Sequence, residues 1–266
     1  MNAYKKLLCL PFLILALAGA QAQGVLKNQQ KIALNSPGKP YSLELNLHSA
    51  SVMMSTYNGR EIVVEVRDES RAATLDTAKQ VFASSYKIES SQQNNVVVIT
   101  NTNSATKIVM TVKVPANLAA TLKVNVKKIG DVTLENIRGN IEVNANTGSV
   151  KLLNVAGSAV LSTVTGSVLC SFTSIAPSTP MAFSTLNGEI RLQLPAVAKA
   201  NFRIRSEKAV LFTDFDMDFG AEKPRTTTQG NKKRIILTGP MNGAINGGGP
   251  GILISNSTGN LFIEKK

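Results

Sequence analysis

Apolar and polar residues alternate along much of this chain, and glycine sets the phase of the alternation. Gly130, Gly139, Gly148, Gly157 and Gly166 stand nine residues apart. Two residues after each comes Val132, Ile141, Val150, Ala159 or Val168; four after comes Leu134, Val143, Leu152, Leu161 or Cys170. Polar residues such as Thr133, Glu142 and Lys151 lie between. A period of two belongs to a strand with one face buried, so each unit predicts a short strand opened by a turn. One such strand cannot bury its apolar face alone. Stacked copies can, with like residues above like, and this predicts an all-β solenoid in which two units make an 18-residue rung.

A second pattern supports the pairing. The frame polar-x-x-[Thr/Asn]-Gly-x-aliphatic-x-apolar recurs at Asn144–Leu152, Ser162–Cys170, Ser184–Leu192 and Ser255–Ile263. The first two lie 18 apart and the third 22 further on, with the Pro-containing stretch Ser174–Pro180 taking up four extra residues as a corner loop. The frames at Val126–Leu134 and Ser206–Leu211 lack the usual turn residues, which leaves the number of regular rungs open. Upstream, Tyr41, Leu43, Leu45 and Leu47 alternate, and Ile62–Val66, Val96–Ile99 and Ile108–Val114 read as strands, the last stopped by Pro115. Leu75, Ala78 and Phe82 sit at helical spacing and predict a short helix over Arg71–Ser84 that covers one end of the stack. Beyond Gly188, the apolar positions Leu192, Leu194, Phe202, Ile204, Val210 and Phe212 predict two more strands. Gly220–Lys233 is a loop or hairpin, Gly247–Pro250 a tight turn, and Ile252–Ile254 and Leu261–Ile263 the last strands.

The first residues carry an address. Lys5 and Lys6 precede an apolar stretch, Leu7–Ala18, interrupted by Pro11, and Ala20-Gln21-Ala22 offers small residues at −3 and −1. This predicts a signal peptide over 1–22, cleaved before Gln23, then a linker over 23–40 and one domain over 41–264 with its regular core at 124–192. Cys9 lies within the apolar stretch, so the exported chain keeps only Cys170 and forms no internal disulfide. No later apolar run reaches 18 residues, so no membrane-spanning helix is expected after cleavage. The chain has 266 residues, 43% hydrophobic and 17% charged, too apolar for a disordered polymer. Its formal charge is +12, or +10 once Lys5 and Lys6 are gone. One histidine and two cysteines exclude a Cys/His zinc framework.

The recurring Ser/Asn-x-x-Thr/Asn-Gly-x-Val/Ile frames, with Gly243–Pro250 followed by Ser257-Thr258-Gly259-Asn260-Leu261, resemble the bacterial "putative adhesin" family of envelope proteins. The resemblance covers roughly residues 40–264 and is clearest from Val112 onward. It implies a right-handed parallel β-helix and supplies no catalytic residues.

Candidate chemistry is sparse. Asp214-x-Asp216-x-Asp218 begins like a calcium loop, but the sixth and twelfth positions hold Phe219 and Arg225 where Gly and Glu are wanted. Phe215, Met217 and Phe219 alternate with the aspartates, as in an amphipathic strand. His48 falls on the polar face with Glu44 and Asn46, and no Gly-x-Ser-x-Gly elbow accompanies it. Cys170 falls in the inward column with Leu152 and Leu161, as an inert core thiol. Asn246–Pro250 lacks the Lys-Ser/Thr of a phosphate loop and reads as a turn. Thr and Ser at the corners suit hydrogen-bonded ladders between rungs. Lys123, Lys127, Lys128, Lys199, Arg203, Arg205, Lys208, Lys232, Lys233 and Arg234 supply cations that, on an exported protein, suit acidic glycans or headgroups rather than nucleic acid.

The sequence therefore predicts an exported, non-enzymatic structural or adhesion module. Catalytic residues, metal ligands and cofactors are expected to be none, and binding residues stay unassigned. The expected partners are a cell-surface glycan or an envelope protein. Two alternatives are a periplasmic scaffold or sensor partner and a carbohydrate-active β-helix enzyme. The enzyme would need a carboxylate pair with a cationic partner in one groove.

Overall fold

A computed structural model describes residues 29–69, 86, 88–102, 107–116, 121–221 and 224–266. The signal segment and the helix expected at Arg71–Ser84 lie outside the described residues. Among those described there is no α-helix; the chain is all-β, a largely parallel sheet with antiparallel margins. In chain order the strands are β1 (Gln29–Ala33), β2 (Ser42–Leu47), β3 (Ala50–Tyr57), β4 (Glu61–Asp68), β5 (Ile88–Gln93), β6 (Val96–Asn101), β7 (Ile108–Pro115) and β8 (Thr121–Ile129). There follow β9 (Val132–Glu135), β10 (Arg138–Thr147), β11 (Val150–Thr165), β12 (Val168–Ile175), β13 (Met181–Asn187), β14 (Ile190–Leu194), β15 (Ala200–Lys208) and β16 (Val210–Thr213). The last are β17 (Met217–Asp218), β18 (Thr226–Gln229), β19 (Lys232–Ile236), β20 (Met241–Ile245), β21 (Gly251–Thr258) and β22 (Leu261–Lys265). β1 falls inside the stretch 23–40 expected as linker.

The strands form two parallel columns. The first runs β6, β2, β8, β10, the second half of β11, β13, β21, β15. The second runs β7, β3, β9, the first half of β11, β12, β14, β22, β16. Consecutive strands alternate between columns, so each pair makes one tier. The 18-residue spacing is present in the register: Val132 lies beside Val150, Val150 beside Val168, and Arg138 beside Ala156. Across the Pro-containing loop the step becomes 22, with Val160 beside Ala182.

Apolar side chains stack down the interior as the alternation requires. One line is Leu45, Val124, Val143, Leu161, Phe183, Ile254 and Ile204, all buried. Another is Val52, Val132, Val150, Val168, Ile190, Leu261 and Leu211. In β16, which contains Val210 and Phe212 as expected, Leu211 and Thr213 face in and Phe212 stands on the outside. Apolar residues on both faces of β16 hide its parity.

Spatial order departs from chain order twice. β2–β3 lies between the β6–β7 and β8–β9 tiers, and β21–β22 lies between the β13–β14 and β15–β16 tiers. Antiparallel strands cover both ends of the columns. β5 pairs β6, and β4 with β1 covers β7; at the opposite end β20 pairs β15, and β19 with β18 covers β16. Such flanks shield the parallel edges from other chains. The two irregular frames resolve differently. At Val126–Leu134 two residues of β8 oppose one of β10 between the pairs Val126/Ala145 and Ile129/Thr147, a bulge. At Ser206–Leu211 the register to β21–β22 is unbroken, and Ala209 occupies the corner that Gly259 holds one tier away.

The corner glycines are required by close approach. An added Cβ on Gly148 would lie 2.1 Å from the carbonyl oxygen of Gly130, on Gly166 2.1 Å from that of Gly148, on Gly188 2.0 Å from that of Gly166, and on Gly259 2.1 Å from that of Gly188. Backbone carbonyls therefore run past glycine after glycine up one edge, leaving no room for a side chain.

Candidate functional site

Outward residues of the first column form rows that change character along the stack. One row is Asn46, Asn125, Asn144, Ser162, Ser184, Ser255 and Arg205. Its amides are linked: Asn125 Nδ2 donates to Asn46 Oδ1 at 2.8 Å, and Asn144 Nδ2 to Asn125 Oδ1 at 3.2 Å. Ser162 and Ser184 hydroxyls meet at 3.3 Å, continuing the row on the outer face of the strands rather than at the corners. The neighbouring row begins with Glu44, Lys123 and Glu142, with a Lys123–Glu142 ion pair at 3.2 Å. It then turns apolar at Val160, Ala182 and Leu253 and ends at Arg203.

Arg203 and Arg205 therefore project side by side from β15 beyond an apolar strip. Both are exposed, and neither has an ion-pair partner among the described residues. β20 runs antiparallel beside them, with Asn242 opposite Arg203 and Ala244 opposite Asn201. Asp218, Phe219, Leu253 and Ala244 line, with both arginines, a groove of about 740 Å³. Among the described residues Asp218 is its one acidic lining residue, and its Oδ1 accepts the Gly220 N–H at 2.9 Å. Past Arg205 a second hollow of about 430 Å³ continues under Thr238-Gly239-Pro240.

An interior line leads into this second hollow. The inward residues nearest the glycine edge run Leu47, Val126, Ala145, Thr163, Thr185, Asn256 and Ser206. The line turns polar because the glycine carbonyls offer acceptors. Thr163 Oγ1 donates to Gly148 O at 3.0 Å, Thr185 Oγ1 to Gly166 O at 2.9 Å, and Asn256 Nδ2 to Gly259 O at 2.8 Å. Ser206 ends the line without a bond. Its Oγ and the Oδ1 of Asn256 are both buried without a hydrogen-bond partner, and both residues line the hollow. Sequence reasoning named Arg203 and Arg205 as basic residues but missed Ser206 and Asn256. The signal was there, in inward positions that change from aliphatic to Thr, Asn and Ser down one column.

The second column carries an ion cluster on its outer face. Arg191 donates to Glu189 Oε1 through Nε (3.0 Å) and Nη2 (2.8 Å), and to Glu264 Oε1 through Nη1 (2.6 Å). Lys232 also bonds Glu264. The guanidinium carbon lies 3.7 Å from the centre of the Phe262 ring, and Phe262 stacks on Phe212 with centroids 5.1 Å apart. One face of Phe262 is thus covered by Arg191 and the ring is stacked on Phe212, so it offers no open platform for a sugar. Burial pushes the Glu264 carboxyl up, but the hydrogen bonds and charges of Lys232 and Arg191 outweigh it and hold the pKa below the usual range. A depressed acid stabilises the fold above its unfolded pKa and loses that contribution as pH falls through the folded one. Wild-type stability is therefore expected to fall as pH drops below about 4.3, and Glu264→Gln is expected to flatten this slope while lowering neutral-pH stability. Thermal melts across pH 3–7 measure it; parallel slopes for both proteins would show that Glu264 is not responsible.

The remaining residues named from sequence are placed as follows. Asp214 Oδ1 accepts the Lys265 N–H at 2.7 Å, Asp216 pairs with Lys233, and Asp218 turns to Gly220, so the three carboxylates disperse. Among the described residues no three His, Cys, Asp or Glu stand close enough to hold a metal. His48 is half-buried at the end of β2, its Nδ1 3.5 Å from Ser49 Oγ. Asn246 heads a turn closed by Gly248 N–H to Ile245 O at 3.0 Å. Lys127 and Lys128 are exposed at the bulge, Lys199 is exposed before β15, and Arg234 is half-buried beside Phe212. The Lys208 side chain lies outside the described residues.

Cys170 is fully buried, and burial pushes its thiol well above the ordinary range. Thiol reagents are expected to spare it in the native protein and to label it on unfolding. Cys170→Ser is expected to cost about 1–3 kcal/mol, since it buries a hydroxyl in the interior column between Leu152 and Leu192. Labelling kinetics and denaturant melts check both.

No protein-family profile matches the chain, and no curated protein matches it in sequence. Among solved structures it is similar to a "putative cell adhesion protein" from Clostridium sporogenes, at 9% identity over 90% of this chain and 99% of that one, with a TM-score of 0.42. It is also similar to a "putative adhesin" from Bacteroides fragilis, at 10% identity over 90% of this chain and 96% of that one, with a TM-score of 0.45.

Proposed function

We propose that this chain is an exported, non-enzymatic β-solenoid of the right-handed parallel β-helix kind, acting at the cell envelope as an adhesion or binding module. The observation that carries the reading is the in-register outer rows. Outward side chains, Asn46, Asn125 and Asn144 and then Ser162, Ser184 and Ser255, line up tier above tier, an arrangement that suits an extended partner better than a small metabolite. The leader-like residues at 1–22 support export, and the partner class is a cell-surface glycan or an envelope protein. The test is to express the full sequence, locate it by fractionation, and read its N-terminus by mass spectrometry. Beads coated with the exported protein are then assayed on cells and immobilised glycans. Cleavage before Gln23 and adhesion above albumin-coated beads support the reading. Uncleaved cytosolic protein, or beads that adhere no better than the control, overturns it.

One observation favours the enzyme alternative. Glu189 and Glu264 share the cation Arg191, the kind of constellation a polysaccharide-cleaving enzyme needs. Against it, Arg191 occupies an oxygen of each carboxylate, and Glu264 is held ionised at neutral pH, so it has no proton to donate as a general acid. Release of reducing ends from an acidic polysaccharide, abolished by Glu264→Gln, would carry the enzyme reading instead.

A further inference from the structure

We propose that the groove beside Arg203 and Arg205 binds an anionic amphiphile, a single acyl chain ending in a carboxylate, with its head on the arginines and its tail along the apolar row that leads away from them. The inference stands apart from the adhesion reading, which does not require it. The side chains that form the site all point outward. Arg203 and Arg205 lie two residues apart on β15, so they leave the same face about 7 Å apart. Both are exposed, and neither is engaged by an acid among the described residues. Each guanidinium presents paired N–H donors that match a carboxylate in a two-bond fork. In register with Arg203 stands Leu253, then Ala182, then Val160, which is 45% exposed. Three strand spacings of about 4.8 Å take this row roughly 14 Å from Arg203.

Beside that row a glycine keeps the groove open. Gly251 precedes Leu253 by two on β21 and shares its outward side, and a Cβ added to it would meet nothing within 4 Å. The groove of about 740 Å³ takes carbon surface from Pro180, Leu253 and Ala244. Two of its polar side chains are engaged: Asn201 Nδ2 donates to Gly249 O at 2.8 Å, and Asp218 Oδ1 accepts the Gly220 N–H at 2.9 Å. β21, β15 and β20 are each paired on both sides, so no backbone edge is open to an added peptide strand. The site thus offers two cations and, leading from them, an apolar surface. A hydrophilic polyanion would meet the arginines and leave Leu253, Ala182 and Val160 in water. A neutral amphiphile would cover the row and leave the arginines without a partner. An acyl carboxylate does both, and covering apolar surface gains roughly 25 cal/mol per Å². Asp218 lies two strands beyond β15, on the side away from the row, where its charge repels a head displaced that way.

Dodecanoate below its micelle threshold, dodecyl maltoside, acetate and a polyglutamate peptide are titrated into the exported full chain by calorimetry. Dodecanoate is expected to bind about tenfold tighter than each of the other three, and more weakly as salt rises. Arg203→Gln and Arg205→Gln are each expected to weaken it about tenfold. Gly251→Leu places a side chain in the groove and is expected to abolish binding while the melting temperature is kept, because open space surrounds its Cβ. Dodecyl maltoside, acetate or polyglutamate binding as tightly as dodecanoate overturns the assignment, as does unchanged affinity in either arginine variant or in Gly251→Leu. Sedimentation with phosphatidylglycerol vesicles in the absence of dodecanoate binding would make this face a membrane surface and overturn the groove. Adhesion of coated beads without dodecanoate binding overturns this site and leaves the adhesion module standing. Dodecanoate binding by a chain whose beads do not adhere leaves the site standing alone.

Discussion

Gly166→Val is expected to leave the chain without a cooperative native state, and Gly166→Ala to come close to the same outcome. The alanine Cβ alone would sit 2.1 Å from Gly148 O, more than an ångström inside ordinary contact, and the obstacle is backbone, not the movable end of a side chain. Relief requires prying two tiers apart at the corner. That strains the bonds from Gly166 N–H to Asn187 O and from Gly148 N–H to Thr165 O, and the Thr185 Oγ1 bond to Gly166 O with them. The residue's φ of +148° adds strain of its own for any side chain. A cost on the order of 4–5 kcal/mol or more is expected, against a typical net stability of about 5–15 kcal/mol. Gly230→Ala is the control. Gly230 also has positive φ, +61°, in the β18–β19 turn, but a Cβ there meets nothing within 4 Å. It should cost only the left-handed backbone penalty of about 1–2 kcal/mol. Circular dichroism and soluble yield compare the variants, and a cooperative melt for Gly166→Val near that of the native protein would refute the carbonyl ladder.

What could be read from sequence follows from how local each constraint is. The nine-residue glycine phase shows because the corners at Gly130, Gly148, Gly157 and Gly166 bring a neighbouring backbone carbonyl too close for a Cβ, and the alternation at 130–170 shows because one face of each strand is buried. Even the distant frame Ser255–Ile263 was legible as kin to Ser184–Leu192, and the two lie directly beside each other. What could not be read was order. Nothing within β21 says that it pairs with both β13 and β15, since those registers join residues 71 and 50 positions apart. The ion cluster was hidden for the same reason: Arg191 and Glu264 are 73 residues apart, and Lys232 reaches Glu264 from a hairpin that only the fold brings near. The groove at Arg203 takes part of its lining, Asn242, Gly243 and Ala244, from β20. β20 is placed by antiparallel pairing at the end of the stack, where the repeat no longer predicts anything.

That interleaving makes the β21–β22 tier the part of the chain whose loss should cost most. Ending the chain after Pro250 is expected to abolish folding, whereas ending it after Glu264 is expected to be mild. The longer truncation removes Ile252, Ile254, Leu261 and Ile263, each at most 1% exposed, worth roughly 1.5–3 kcal/mol apiece, or about 6–12 kcal/mol together. That alone matches the net stability of an ordinary domain. The loss also falls in the middle of the columns. β13 and β14 would lose their partners on one side, and β15 and β16 theirs on the other, so two edges open where the intact protein has none. An edge of parallel, half-apolar strands invites pairing between chains, so the truncated protein should aggregate instead of remaining as a soluble, shortened stack. Ending after Glu264 removes two exposed lysines with their bonds from Lys266 N–H to Leu194 O, Lys265 N–H to Asp214 Oδ1 and Lys266 Nζ to Asn154 Oδ1, and the Lys265 contact with the Phe215 ring, but no buried apolar side chain. Soluble fraction, light scattering and thermal melts separate the two cases. A truncation at Pro250 that stays monomeric and melts cooperatively would mean that β15–β16 docks directly onto β13–β14, and the inserted tier would then be an addition to the stack instead of its keystone.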